Sequence, residues 1–229
     1  MDLYHVLSRG VDKRQIFIGD RDYFRFVHNL FEFNNARYVR TASYRDFTKW
    51  DDIARRPVSQ KYRESRKLLV NVHAFCLMPN HYHLILSSRV EGGISKFMKK
   101  INMGYAKYFN IKNDRKGALF ESRYKSILVD NERHFMYLPH YIHLNPLDLH
   151  MPEWRERKLR SFTGAMKFLE NYRWSSFPDY MGQKNFPSIT DRRFLLEIYG
   201  GMNKYKAQIV EFLKDLNLES FGAGDILLE

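Results

Sequence analysis

A chain of 229 residues with 44% apolar and 16% aromatic side chains can bury a sizeable core in one large domain or in a domain with an appendage, which excludes a disordered or low-complexity protein. Lys+Arg 38 against Asp+Glu 26 leaves a formal charge of +12 and a pI near 9.7, so a polyanionic partner is expected. Nucleic acid leads over an acidic membrane, because the basic residues are interleaved with Tyr and Phe over several segments instead of forming one amphipathic stripe. No run of about eighteen apolar residues and no basic-then-apolar N-terminal stretch is present, so a cytoplasmic protein without membrane span or signal peptide is expected. The single cysteine, Cys76, excludes an internal disulfide and a thiolate metal cluster.

In chain order, Tyr4-His5-Val6-Leu7-Ser8 alternates as a first strand that stops at Arg9-Gly10, and Gln15–Ile18 is a candidate short second one. Asp20 is placed to cap a helix over 21–33, where Phe24, Phe26, Val27, Leu30, Phe31 and Phe33 recur at three- and four-residue spacing. Residues 35–67 are rich in Arg and Lys and poor in aliphatics. They form a surface insertion, either a solvated excursion or a basic flap over bound nucleic acid.

The block Leu68–Leu86 then reads as two strands joined at Met78-Pro79-Asn80. A second long helix begins at Ile94 and carries Met98, Ile101, Met103, Tyr105, Tyr108 and Phe109. Leu119–Val129 alternates again as a strand with Arg123 and Lys125 on one face, and a helix follows from about Asn131 towards Asn145-Pro146. This order is that of an α+β, ferredoxin-like βαββαβ core with an antiparallel sheet and an added helix. The expected division is a core over 1–150 and a helical C-terminal appendage over 151–229, with Trp174-Ser175-Ser176 in a turn-rich stretch and helices near 162–169, 192–199 and 205–216.

The residues with chemistry lie in the strand pair and the last core helix. Strand alternation puts His81 and His83 on one face and Tyr82 on the other, so two imidazoles can chelate a divalent metal. Helical spacing makes Tyr141 and Asn145 neighbours, one a candidate nucleophile and the other an amide oxygen able to complete the metal site. A cation held by His81, His83 and Asn145 would orient a phosphodiester for in-line attack by Tyr141 and give a covalent phosphotyrosine. Two imidazoles and an amide oxygen suit Mg²⁺ or Mn²⁺ with open positions. Tyr105 is the alternative nucleophile. Arg9, Arg123 and Lys125 are candidate DNA contacts, whereas His5, His73, His134, His140 and His143 read as structural.

Met78-Pro79-Asn80-His81-Tyr82-His83, the segment Gly117–Lys125, Tyr141-Ile142-His143-Leu144-Asn145-Pro146, Trp174-Ser175-Ser176 and the opening Tyr4–Gly10 together resemble the REP-associated tyrosine transposases, relatives of the single-tyrosine HUH transposases. The resemblance extends over most of residues 4–180. It implies His81 and His83 as metal ligands, Asn145 as a third ligand, Tyr141 as the nucleophile, and single-stranded DNA with hairpin-forming repeats as the partner, bound by a monomer or a homodimer. Pro139, two residues before Tyr141, either kinks this helix or begins a fresh segment, and the Tyr141–Asn145 spacing survives both. Two further readings are a binding module that holds single-stranded nucleic acid without cutting it, and a domesticated transposase that no longer moves itself.

Overall fold

The computed structural model describes residues 1–37, 66–156 and 158–215, so most of the insertion over 35–67 lies outside the described residues. Four strands, β1 (Leu3–Arg9), β2 (Val70–Met78), β3 (His81–Ser88) and β4 (Lys125–Leu128), alternate with helices α1 (Asp20–Glu32) and α2 (Gly93–Lys112). All pairings are antiparallel, in the order β2-β3-β1-β4. This is the βαββαβ order expected from the sequence.

Strands β2 and β3 are buried on both faces. That is why β2 and β3 read as nearly continuous apolar runs. One face, with Val6, Phe75, Tyr82 and Leu84, packs with Phe26, Phe97 and Tyr105 from α1 and α2. Gly104 permits this approach, because a Cβ there would stand 2.4 Å from the Phe33 ring. The opposite face, with Ala74, Cys76 and Ile85, packs with Tyr137, Tyr141 and Ile142 of α3 (Glu132–Leu144) and with Trp154, Leu169, Tyr180 and Tyr205 from further along the chain. The latter come from a 3₁₀ turn (Pro152–Glu156) and from α4 (Phe162–Asn171), α5 (Phe177–Tyr180) and α7 (Met202–Asp215), with α6 (Arg193–Ile198) between the last two.

Several local expectations change. Gln15–Ile18 is not a strand: Ile16 and Phe17 donate their amides to the Pro79 carbonyl at 2.8 and 3.0 Å, which wraps this loop around the β2–β3 turn. The N-cap of α1 is Gly19, not Asp20, and the Asp22 carboxylate accepts from the Ile18 and Gly19 amides. Asp22 is buried because Lys112 and the Tyr108 hydroxyl also reach it.

The last strand is shorter than its alternation suggests. Residues 119–121 pair separately with β1 and the following turn, through Val11 N–H to Leu119 O and Glu121 N–H to Arg9 O, and regular pairing resumes only at Lys125. Pro139 lies inside one continuous helix, capped by Asn131, whose side chain accepts from the His134 amide.

Trp174-Ser175-Ser176 covers the outer edge of β2, with Leu77 N–H to Trp174 O and Ser176 N–H to Phe75 O both at 2.9 Å. His143 locks this segment to α3 and α7, one ring nitrogen 2.8 Å from Ser176 Oγ and the other 2.7 Å from the Tyr205 hydroxyl. The histidine of Tyr141-Ile142-His143 and the second serine of Trp174-Ser175-Ser176 thus form one buried polar joint.

Candidate active site

Register and pleat place the candidate residues. Cys76, His83, Leu7 and Lys125 form one row across the sheet, and Met78, His81 and Arg9 form the next. Paired residues share a face, so Arg9 and Lys125 lie on the same face as both histidines. That face is covered by α3, and the Tyr141 ring packs edge-on against His83 with centroids 5.8 Å apart. His81 and His83 are themselves in contact, 4.9 Å between ring centroids. The structure therefore brings His81, His83, Tyr141 and Arg9 together.

Tyr105 is not among them. It lies across the sheet, in the core under α1 and α2, and donates its hydroxyl to the Ile16 carbonyl at 2.5 Å. Burial pushes its phenol well above the ordinary value, so it resists ionisation. Arg123 precedes β4 and is joined by its carbonyl to Asn102 of α2 at 2.7 Å, so it does not share the histidine row.

Both histidines are held neutral. Burial is the main cause, lowering His81 to about 4, where Arg9 adds to the effect, Asp148 opposes it and Arg155 adds again. His83 falls well below 6.5 through burial and then through His81, His5, Arg155 and Arg9. A neutral imidazole is the form that binds metal.

The ring nitrogens are also oriented. His81 Nδ1 is 2.6 Å from Asn80 Oδ1, and His83 Nδ1 is 2.9 Å from His5 Nε2, so in each ring Nε2 is the atom that can be offered to a cation. Asn145, at the end of α3, donates Nδ2 to the Tyr141 carbonyl at 3.1 Å, and its Oδ1 is buried without a hydrogen bond. An orphaned amide oxygen is what a third ligand would present. Among the described residues no cluster of three or more His, Cys, Asp or Glu could hold a metal. Imidazole nitrogen and amide oxygen are ligand types that a divalent cation takes.

Two features escaped the sequence reading. His5 is a fully buried partner of His83, not a bystander; its odd position on β1, in phase with Leu7 and Arg9, was the available signal. Arg155 comes from the 3₁₀ turn, its guanidinium 5.5 Å from the centre of the Tyr141 ring and clamped by Asp148 at 2.9 and 2.6 Å. Nothing in the local sequence points to it.

Residues 33–145 match the family model described as IS200-like transposase. No curated protein matches the chain. A solved structure of a REP-associated tyrosine transposase bound to a REP hairpin is similar at 14% identity with a TM-score of 0.42, over 82% of this chain and 82% of that one.

Proposed function

We propose that this chain, which belongs to the IS200-like transposase family over residues 33–145, is a single-stranded DNA endonuclease and strand transferase that cuts at hairpin-forming repeats through a phosphotyrosine on Tyr141. The observation that carries the reading is the edge contact of Tyr141 with His83, on a sheet face that also holds His81, Arg9 and Lys125. A hydroxyl nucleophile, two neutral imidazoles and two cations on one face are what phosphodiester transfer needs.

In the step itself, the Tyr141 oxygen attacks phosphorus as its proton passes to solvent. A Tyr–O–P bond forms, one sugar P–O bond breaks, and the departing oxygen takes up a proton and leaves as a hydroxyl. The ester so formed keeps the bond energy, and a DNA hydroxyl reverses the reaction to rejoin strands. Arg9 and Lys125 hold backbone phosphates. Mg²⁺ or Mn²⁺, held by Nε2 of His81 and His83 with Asn145 Oδ1, would neutralise charge on the phosphate oxygens.

One observation favours a second reading, a binding module without cleavage: Tyr141 is 0% exposed, so attack requires its hydroxyl to be uncovered when DNA binds. The deciding experiment mixes purified protein with labelled single-stranded hairpin oligonucleotides, with Mg²⁺, Mn²⁺ or chelator, on a denaturing protein gel. Cleavage gives a metal-dependent covalent adduct that is lost in Tyr141→Phe and His81→Ala. Salt-sensitive binding with no adduct on any hairpin would establish the binding module instead.

A further inference from the structure

We propose that Arg155 is the group that receives the scissile phosphate of single-stranded DNA at this site. The inference rests on the phosphotyrosine reading and adds a residue from beyond the family-matched segment. Tyr141 is enclosed, but the Arg155 side chain over its ring is 24% exposed, so Arg155 is the part of this pair that faces solvent. An incoming phosphate meets the guanidinium first.

The guanidinium is also held in place. Asp148 accepts from Arg155 Nε at 2.9 Å and Nη2 at 2.6 Å, and the same carboxylate accepts from Trp154 Nε1 at 2.6 Å. The Nε–Nη2 edge is given to Asp148, and a guanidinium oriented in this way meets a phosphate oxygen through its other N–H groups at less entropic cost than a free side chain. Arg9 supplies a second cation, in register with His81, and its Nε is buried without a hydrogen bond. Arg155 reaches the histidine pair through Tyr141, whose ring lies 5.5 Å from the guanidinium on one side and 5.8 Å from the His83 ring on the other. Arg9 beside His81 and Arg155 over Tyr141 together put two guanidiniums on the face where Tyr141 meets His83.

The test uses the full chain and its Arg155→Ala and Arg155→Lys variants. Adduct rates are measured at saturating hairpin DNA, after the cleaved position is mapped with the unaltered protein. Affinity is then measured in the Tyr141→Phe background, for DNA with the native phosphate or a neutral methylphosphonate at that position. Arg155→Ala is expected to slow adduct formation by about 100-fold or more, as loss of one charge-stabilising donor does, and Arg155→Lys to restore only part of it. Its affinity penalty and that of the methylphosphonate should not add, because each removes the same contact.

An additive pair of penalties, or an unaltered adduct rate in Arg155→Ala, overturns the role of Arg155 and leaves the nucleophile standing. Absence of any adduct with the unaltered protein overturns the phosphotyrosine reading and the role of Arg155 with it. Arg155→Lys keeps the aliphatic stem and a positive charge beside the Trp154 ring, which the guanidinium carbon approaches to 4.9 Å, so a fold defect confined to Arg155→Ala does not mask the result.

Discussion

His5 Nε2 lies 2.9 Å from His83 Nδ1, and both rings are buried in the sheet. For His83 to offer Nε2 to a cation, its Nδ1 must carry the hydrogen and His5 Nε2 must accept it. His5 is kept neutral by burial, which lowers it to about 3, so it can serve as that acceptor. His5→Phe removes the acceptor while keeping a flat ring, and Mn²⁺ affinity should fall by roughly 10- to 100-fold, the usual effect of losing a partner behind a ligand histidine. Isothermal titration checks it, and unchanged affinity would remove His5 from the site.

The two candidate tyrosines should separate cleanly. Tyr141→Phe should abolish the covalent adduct. Tyr105→Phe should leave the adduct intact but cost on the order of 1 kcal/mol, because the Ile16 carbonyl loses its buried donor. Adduct gels and urea unfolding of both variants provide the readout; an adduct that survives Tyr141→Phe and disappears in Tyr105→Phe would reverse the assignment.

His143 belongs to the fold, not the chemistry. His143→Ala leaves the buried Tyr205 hydroxyl without its ring partner, at about 1–3 kcal/mol, whereas Ser176 Oγ keeps the Phe75 amide and carbonyl. A lowered urea midpoint, with Mn²⁺ affinity retained in the folded protein, is the expected pair of results. Full stability in this variant would mean that the joint contributes nothing.

Acid should destabilise the protein well before its carboxylates titrate. Burial lowers His140 to about 4, and His143 to about 3 with a smaller contribution from His140, whereas in the unfolded chain each titrates near 6.5. Between those values the unfolded state binds more protons, so stability rises with pH through this window and is lost as pH falls below about 6.5. Urea midpoints at pH 7.5 and 5.0 should therefore differ, with the lower at pH 5.0, and a flat profile would mean that these rings are not buried neutral in solution.

Much of the fold was legible because periodicity survives in a single chain. Leu68–Leu86 showed its two strands and their turn, and the three- and four-residue spacing of Phe26, Val27 and Leu30 showed α1. The same logic overreached where an alternating or apolar pattern had no partner to enforce it. Gln15–Ile18 is tied to Pro79 as a loop, Arg123 falls before β4, and Met103, counted into the apolar stripe of α2, is 63% exposed. Pattern shows which face a residue can occupy, and hydrogen-bond partners decide whether the element forms.

By itself the sequence determined the succession of strands and helices along the chain, the shared face of His81 and His83, and the neighbouring positions of Tyr141 and Asn145 on one helix, because these follow from repeats of two and of about four residues. Tertiary structure alone decided that Tyr141 meets His83, that Tyr105 lies across the sheet, that His5 backs His83, and that Arg155 reaches over Tyr141 from a later turn. Those relations join residues that are distant in sequence, 150 positions apart for His5 and Arg155, and only strand register and packing bring them together.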